Sequence, residues 1–330
     1  MNLNKKNILL IMPFYFEYEK QIEKCLSRNG ANVWSFNENI NKNYINRFFS
    51  IYCKKVYKKA VNISYDKLLK NLPQHMDYVF IIKGSTITYN YVQKLKKIYC
   101  QAKFIMYQWD SVANYQKALE LSKWCDYNFS FDPDDSIKYG WKYRALFFDP
   151  ELCILDKEKR YDLTFICSLH SERAKLYRAI KNFSKEREYK FYGYLFTDKM
   201  SYFRQKYLNH NPKFDVQINN LKFSPLSQRD ISSIYDVSKC LVDYKFDNQM
   251  GLTMRSIESL GHSCKLLTNN HNIKKEDFYN PNNIYVYDME SIDIPEDFLL
   301  TEYESVDQHI YHKYSIQGWV EEIFNFVEQN

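Results

Sequence analysis

Glycine is scarce in this sequence, with 7 residues among 330. Neither G-x-G-x-x-G nor G-x-x-x-x-G-K-[ST] occurs anywhere in the chain. Those glycine-rich loops bring backbone N–H groups against phosphates in dinucleotide oxidoreductases and in P-loop NTPases. Their absence argues against both classes of protein.

The eight cysteines include no C-x-x-C pair, and no histidine lies near them at the spacing of zinc ligands. This pattern argues against a structural zinc site. Most of the cysteines lie in apolar, strand-like runs, so we expect buried free thiols in a reducing cytoplasm. No D-x-D pair occupies a clear metal-binding strand end, and we predict no metal ligands.

Strong charge of one sign is also missing. The formal net charge is +6, and the sequence has no long Lys/Arg tail and no zinc-finger, helix-turn-helix or RNP-like signature. A balance this mild does not call for a nucleic-acid partner, and we expect none.

No apolar run reaches the ~18 residues that a transmembrane helix needs. The first run covers residues 7–12, ends at Pro13 and lacks a small-residue cleavage site. We interpret it as a first core strand and expect a cytoplasmic protein.

Short apolar runs alternate with longer amphipathic runs, which indicates βαβ units around parallel sheets. At 330 residues, the chain is long enough for two such domains. The alternation stops at 149–160, a charged stretch with the character of a linker, and then starts again. We predict an α/β fold of two Rossmann-like, doubly wound domains facing a cleft. They cover residues 1–150 and 151–315, and a terminal helix, 316–330, packs back on the first domain.

The predicted strands lie at 7–12, 32–36, 78–83, 103–107, 126–131, 143–148, 162–167, 189–194, 240–244, 264–268 and 284–287. The main predicted helices lie at 17–28, 44–71, 88–99, 113–123, 171–184, 198–207, 228–237, 251–261 and 315–328. Ligands of open α/β sheets bind beyond the carboxyl ends of the strands. The residues that follow each strand are therefore the candidate site residues.

In the first half, polar side chains follow three strands. Glu17 lies in an aromatic stretch and is either a base or acceptor ligand, or a first-turn acid that interacts with the helix dipole. Lys83, with Gly84 allowing a tight turn, either contacts phosphate or acceptor or stays in solvent. Asp110 lies beside Trp109, so it either binds or deprotonates a sugar hydroxyl or caps the next helix.

A fourth acidic position, Asp132, precedes Pro133 and two further aspartates. Carboxylates grouped in this way can imitate a metal site. Asp followed by Pro is also typical of a helix N-cap and its first residue. We favour capping.

In the second half, the strand at 162–167 is followed by Ser168, His170, Ser171 and Arg173. Ser171 is a candidate cap for the next helix. Free N–H groups at that helix start, with His170 and Arg173 beside them, would suit a pyrophosphate. The alternative is an ordinary cap with a surface arginine.

The strand at 189–194 contains Tyr192 and Gly193. A glycine here would let a nucleotide approach the backbone, and the tyrosine could stack on a base. The signal is weak by itself.

The most informative stretch runs from Asp243 to Gly261, DYKFDNQMGLTMRSIESLG, and joins a buried strand to a helix. Gly251 would allow an unusual turn at the helix entrance, with Gln249 before it and Thr253 in the first turn. Arg255 and Glu258 lie three residues apart and share a helix face. The arginine can hold a phosphate bidentately, and the glutamate can accept both hydroxyls of a ribose. The alternative is an intrahelical ion pair worth only ~0.3–0.5 kcal/mol.

The G-x-x-x-R-x-x-E-x-x-G pattern of residues 251–261, within two Rossmann halves, resembles the GT-B glycosyltransferases. The stretches 249–261, 265–269, 277–281 and 107–111 are similar to bacterial lipopolysaccharide and capsule biosynthesis proteins. The resemblance implies a nucleotide-sugar donor, UDP- or dTDP-linked, in the second domain. It also implies a glycan or lipid-linked glycan acceptor on the first domain, and no required cofactor or metal.

The same resemblance assigns roles to individual residues. It implies that Glu258 holds the donor ribose and that Arg255 and Thr253 hold the pyrophosphate. Asp110 is then the first candidate for the catalytic base and Glu17 the second. Position 251 is glycine, where retaining enzymes of the familiar two-glutamate type have a second glutamate.

Two other functions stay open at this point. One is a nucleotide-sugar epimerase of the same architecture, for which His170 is a candidate residue, and the other is a non-catalytic sugar-binding protein.

Residues 47–59 mix lysines with large apolar groups at helical spacing. Such a helix either lies on an anionic membrane or packs on the sheet.

Overall fold

A computed structural model describes residues 2–39, 53–155, 157–214, 216–246, 248–290, 292 and 294–330. The chain forms two compact units. The first comprises Met1–Ala145, Asn248–Gly251 and Ile316–Asn330, and the second comprises Leu146–Asp247 and Leu252–Ser315.

The first unit contains a six-stranded sheet whose paired strands are all parallel, in the order β2-β1-β3-β4-β5-β6. Its strands are β1 (Asn7–Met12), β2 (Asn32–Asn37), β3 (Tyr78–Ile82), β4 (Lys103–Gln108), β5 (Tyr127–Ser130) and β6 (Lys142–Tyr143). Its helices are α1 (Tyr18–Arg28), α2 (Lys54–Lys70), α3 (Tyr89–Ile98), α4 (Ala118–Ser122), α5 (Pro133–Tyr139) and, at the end of the chain, α12 (Ile316–Gln329).

Both faces of this sheet are covered, which is why β1, β3 and β4 are almost entirely apolar. Val79 and Ile81 of β3 join the core cluster that α2 and α3 complete. The alternate residues of the strand point to the other face, where Phe80 lies 5.8 Å from Trp319 of α12, measured between ring centroids. The period-two alternation of a strand thus serves two helical layers at once.

The second unit has its own parallel six-stranded sheet, in the order β12-β11-β10-β7-β8-β9. Its strands are β7 (Tyr161–Ser168), β8 (Phe191–Phe196), β9 (Leu221–Lys222), β10 (Ser238–Val242), β11 (Lys265–Thr268) and β12 (Ile284–Val286). Its helices are α6 (Arg173–Glu186), α7 (Lys199–Phe203), α8 (Gln228–Asp236), α9 (Met254–Gly261), α10 (Glu296–Leu300) and α11 (Gln308–Tyr314).

Helix α9 packs closely within this unit because it ends in a glycine. A Cβ atom on Gly261 would lie 2.6 Å from ring atoms of Phe148. No larger residue fits without displacing that ring.

Several predicted elements differ from the observed ones. The predicted helix at 113–123 is helical only over α4, because residues 111–117 form turns, with Tyr115 N–H donating to Ser111 O at 3.0 Å. The predicted strand at 143–148 survives only as β6, and beyond it Phe148 forms an isolated parallel bridge with Ser315. Helices α10 and α11 were not predicted.

Two predicted helices are only partly comparable with the structure. The helix expected at 44–71 is described from Lys54 onward as α2, and residues 40–52 lie outside the described ranges. The helix expected at 198–207 begins as α7 and continues as a π-helical turn over Arg204–Leu208. All eight cysteines are free, and five of them are buried.

Candidate functional site

The strand order of the second unit identifies where a ligand should bind. The chain runs from β7 outward through β8 and β9, then returns to the other side of β7 and runs through β10, β11 and β12. The order therefore reverses between β7 and β10. In open α/β sheets the ligand crevice lies at the carboxyl ends of the two strands that flank this switch.

Asp243 follows β10 directly and is fully buried. Its carboxylate accepts four hydrogen bonds: Oδ1 from Thr253 Oγ1 at 2.8 Å and Arg255 Nη1 at 3.0 Å, and Oδ2 from Ser256 Oγ and Thr268 Oγ1, each at 3.1 Å. These bonds fix the start of α9 to the ends of β10 and β11. Asp243 stands at the head of the predicted motif, but sequence reasoning gave it no role.

Arg255 is held from three sides. Its Nη1 donates to Asp243, as described above. Its Nη2 donates to the carbonyl of Ile166 in β7, and its Nε donates to the Tyr235 hydroxyl at 3.3 Å. Burial disfavours the charged form, but the neighbouring Tyr235 and Asp243 raise the pKa of Arg255 above its usual value. Every guanidinium nitrogen thus has a protein acceptor, so the geometry favours a positioning role for Arg255 over the predicted phosphate contact.

Arg173, at the start of α6, has a different environment. Its Nη1 donates to Nε2 of His170 at 2.7 Å, and its Nη2 reaches the carbonyl of Tyr244 at 3.5 Å. Its Nε is buried without a hydrogen-bond acceptor among the described residues. Burial, and then the charge of Arg255, lower the pKa of Arg173.

Aromatic rings surround this guanidinium. Its Cζ lies 5.4 Å from the ring centroid of Phe246 and 5.8 Å from that of Tyr244, both after β10. The His170 ring stacks on Phe246 with 5.0 Å between centroids. Burial and the charge of Arg173 lower the pKa of His170 to about 4, so the ring is neutral at pH 7. The sequence signal for Phe246 was its position after a strand, and it was missed.

The segment before α6 does not form the predicted cap. Ser171 adopts a left-handed conformation with φ of 54°, and the N-cap is Glu172, whose side chain makes no capping bond. Ser171 lies instead beside His170, with its Oγ 3.3 Å from the ring Nδ1. A non-glycine residue at positive φ costs of order 1–3 kcal/mol and is common at ligand sites. The first-turn N–H groups of this 14-residue helix carry the positive end of its dipole.

Glu258 lies on α9 and is buried, and its Oε1 accepts a hydrogen bond of 2.8 Å from Gln228 Nε2 of α8. Thr253 is the N-cap of α9, with its Oγ1 accepting from Ser256 N at 3.2 Å. The helix therefore begins at Met254, not at residue 251 as predicted. The ribose role of Glu258 stays a prediction.

The predicted role of Gly193 on β8 is corrected. A Cβ atom at this position would lie 2.5 Å from the hydroxyl of Tyr177, which belongs to α6 of the same core. The open side of the glycine is thus filled by protein, not by a nucleotide. Tyr192 packs against Tyr161 with 5.0 Å between ring centroids. Ser168 lies half-buried at the end of β7.

Gln249 and Gly251 belong to the first unit, whereas the other predicted donor-binding residues belong to the second. Gly251 does not have the left-handed conformation that an unusual turn would need. Its Cβ atom would instead lie 2.6 Å from the ring of Phe131. The predicted capping role of Asp132 is confirmed by bonds to the N–H groups of α5, and its Oδ2 also accepts from Gly251 N at 3.2 Å.

The first unit brings two of its candidate residues together at the ends of neighbouring strands. Lys83 follows β3 and Asp110 follows β4, and Lys83 Nζ lies 2.6 Å from Asp110 Oδ2. Both Lys83 and Gly84 have φ of 69°, as a tight turn requires. Asp110 does not cap α4, whose N-cap is Lys117.

Glu17 is the N-cap of α1, but its side chain makes no capping bond and pairs with Lys20 of the same helix. Sequence reasoning missed another acid of the first unit, which contacts the residues after Lys83. Glu38, after β2, is fully buried and accepts hydrogen bonds of 2.9 Å from Ser85 Oγ and Thr86 N. Burial raises its pKa.

The residues after Lys83 also border a cavity of about 250 Å³ in the first unit. Its walls include the aromatic rings of Tyr89, Tyr115 and Trp124. Within the described ranges, no group of three or more His, Cys, Asp or Glu side chains is arranged to hold a metal ion.

No protein-family model matches the chain, and no curated protein matches its sequence. Solved structures, however, match over nearly its whole length. Alr3699/HepE of Anabaena in complex with UDP-glucose has a TM-score of 0.57 at 10% identity, over 98% of this chain and 100% of that one. An alpha-glucosyltransferase in complex with UDP and a 13-mer DNA has a TM-score of 0.55 at 14% identity, over 98% of both chains.

A third match is the UDP-GlcNAc 2-epimerase of Methanocaldococcus jannaschii in complex with UDP-GlcNAc and UDP. Its TM-score is 0.54 at 9% identity, over 98% of this chain and 100% of that chain. This chain has the GT-B fold. At such low identity the likeness shows the fold alone, because one fold carries many different activities.

Proposed function

We propose that this protein is a nucleotide-sugar-dependent glycosyltransferase that holds the diphosphate of its donor on Arg173. The observation that carries the proposal is Arg173 at the β7/β10 switch, whose Nε is buried without an acceptor among the described residues and whose guanidinium pairs with no carboxylate there. The charges of Arg173 and Arg255 interact there. Among the described residues, Asp243 is the one carboxylate that forms an ion pair with either arginine. A partly buried guanidinium without a carboxylate partner is electrostatically uncompensated, so a bound anion would stabilise this arrangement.

Diphosphate is the anion that fits the surroundings best. A guanidinium binds phosphate oxygens through paired N–H donors. The dipole and N–H groups at the start of α6 add to the same positive potential. The stacked rings of His170 and Phe246 lie beside the guanidinium and give it an apolar wall on one side.

Glu258 is the proposed acceptor for the ribose hydroxyls, with Gln228 orienting its carboxylate through the 2.8 Å hydrogen bond. Asp110 of the first unit is the proposed base for the acceptor hydroxyl, with Lys83 holding the carboxylate. As the sequence resemblance implies, the proposed acceptor is a growing cell-surface polysaccharide or a lipid-linked glycan. The three UDP-binding structures of the same fold support the choice of a uridine nucleotide.

The test is nucleotide binding to the full chain and to Arg173→Gln. We expect UDP or dTDP to raise the thermal midpoint of the wild type, because a ligand at 100 times its Kd adds ~2.7 kcal/mol to stability. Loss of a charged hydrogen bond of ~1.5–3 kcal/mol should weaken binding by about tenfold to a hundredfold in Arg173→Gln. Arg187→Gln, at the other end of α6, is the matched control. Equal affinity in wild type and Arg173→Gln would remove the proposed site.

An epimerase of the same fold is the second candidate, since the archaeal 2-epimerase matches about as well as the transferase. Proton NMR of the protein with UDP-GlcNAc separates the two. A transferase releases UDP, by transfer or slow hydrolysis. An epimerase produces a second UDP-linked anomeric signal.

A further inference from the structure

An exposed ridge of apolar side chains runs along the helical segment that follows β8 in the second unit. Met200, Phe203, Tyr207 and Leu208 are 73%, 48%, 57% and 76% exposed. The rings of Phe203 and Tyr207 stack with 5.7 Å between centroids. We call these four side chains the Met200 ridge. Contiguous exposed apolar groups of this kind mark interaction surfaces.

The opposite face of the same segment is anchored, so the ridge is presented outward. Tyr202 is buried in the core of the second unit, and its hydroxyl donates to the carbonyl of Val216 at 3.0 Å. Asp198 caps the segment by accepting from Ser201 N at 2.8 Å. The structure thus fixes one face and leaves the apolar one open to solvent.

The charged side chains of the ridge segment itself, residues 199–214, have one sign, while Asp198 precedes the segment and Lys213 pairs with Glu172 at 3.0 Å. From residue 199 to residue 214 the sequence holds Lys199, Arg204, Lys206 and Lys213 and no acidic residue. Lys199 and Arg204 are exposed beside the ridge. Apolar groups flanked by lysine and arginine are the composition of helices that lie in the headgroup region of anionic bilayers.

We propose that the Met200 ridge docks this protein on an anionic lipid bilayer, with the apolar side chains at the acyl boundary and Lys199 and Arg204 among the headgroups. No helix of the described residues is long and apolar enough to cross a membrane, so the contact is peripheral. Of the stretch first predicted for this role, residues 47–59, positions 47–52 lie outside the described residues. The inference does not depend on the proposed enzyme activity.

The experiment is flotation of the full chain with vesicles of phosphatidylcholine, with and without phosphatidylglycerol, at low and high salt. The test variant carries Met200→Ser, Phe203→Ser and Leu208→Ser. Its control carries Ile137→Ser and Leu300→Ser, at apolar residues that are 84% and 69% exposed elsewhere. We expect wild type and control to float only with the anionic vesicles, and the test variant to partition at least ~tenfold less. Binding should also weaken with salt and in Lys199→Gln/Arg204→Gln.

Three outcomes would overturn the proposal. One is a wild type that does not float, and another is a test variant that floats as well as the control, which would point to a different surface. The third is self-association in sedimentation without lipid that the test variant abolishes, because the ridge would then bind a second copy. Equal melting temperatures of all variants show that each has folded. In the Tyr207→Trp variant, added tryptophan emission should shift to shorter wavelength on anionic vesicles.

Discussion

The guanidinium Nη1 of Arg173 donates a hydrogen bond of 2.7 Å to Nε2 of His170. That bond requires the ring nitrogen to be unprotonated, and burial together with the charge of Arg173 lowers the pKa of His170 to about 4. The histidine is therefore an acceptor that orients the arginine, not a proton donor. This geometry therefore does not support His170 as the proton-exchanging residue that the epimerase alternative assigned to it.

The pH dependence of stability tests this arrangement. The unfolded chain takes up a proton on His170 near pH 6.5, whereas the folded chain does so only near pH 4. The free energy of unfolding should therefore fall as the pH is lowered through this window. Because the His170 ring is partly exposed, we expect it to contribute roughly 1–2 kcal/mol to the change in the free energy of unfolding across this pH range.

Urea denaturation at several pH values between 7 and 4 measures this effect. His170→Gln keeps an acceptor for Arg173 but does not titrate, so its loss of stability across the window should be smaller. His309→Gln, at an exposed histidine, should behave as the wild type. Parallel curves for wild type and His170→Gln would contradict the assignment of a depressed pKa.

The hydrogen bonds that the buried Asp243 carboxylate accepts lead to a second prediction. Asp243→Asn leaves the buried Arg255 without a charged partner, and breaking a buried ion pair in this way costs about 3–5 kcal/mol. Asp66→Asn breaks an exposed pair with Lys94, in which both side chains are about half exposed, and should cost less than about 1 kcal/mol. Denaturation followed by circular dichroism gives both values. A similar small cost for the two variants would mean that Asp243 does not hold α9.

The sequence was sufficient to predict most strands, because parallel strands with covered faces are near-continuous apolar runs such as residues 78–82. The candidate site residues were sought after the strands, where ligands of such sheets bind, and most of their roles stay predictions. The sequence could not assign roles to the two arginines. Whether a guanidinium is already satisfied depends on partners far along the chain, such as Ile166 for Arg255.

Gly193 and Gly251 also could not be assigned their roles from the sequence alone. Gly193 and Gly251 were interpreted as openings for a ligand or as turn residues. The structure shows that each leaves room for a ring, Tyr177 in one case and Phe131 in the other. A single sequence contains no signal for which side chain from another element will fill such a space.

Gly193→Ala tests the corrected role. The new methyl group would meet the Tyr177 side chain at 2.5 Å, and overpacking of this kind costs about 1–3 kcal/mol. Nucleotide affinity should stay as in the wild type, because the clash lies in the core. Tyr177→Leu, made in both backgrounds, should show a favourable coupling in a double-mutant cycle. A variant with unchanged stability and weaker UDP binding would restore the original interpretation.

The last prediction concerns Asp110, which Lys83 Nζ holds at 2.6 Å. If this carboxylate removes the proton of the acceptor hydroxyl, Asp110→Asn should lower kcat by about a hundredfold to ten-thousandfold. The Kd for UDP should not change, because the diphosphate is assigned to Arg173.

Asp126→Asn is the matched control, since Asp126 also pairs with a lysine, Lys96, at 2.7 Å and has similar exposure. UDP release from a panel of UDP-sugars supplies kcat, and calorimetry supplies Kd. An Asp110→Asn protein that turns over at the wild-type rate would transfer the assignment to Glu17, whose Glu17→Gln variant should then show the loss.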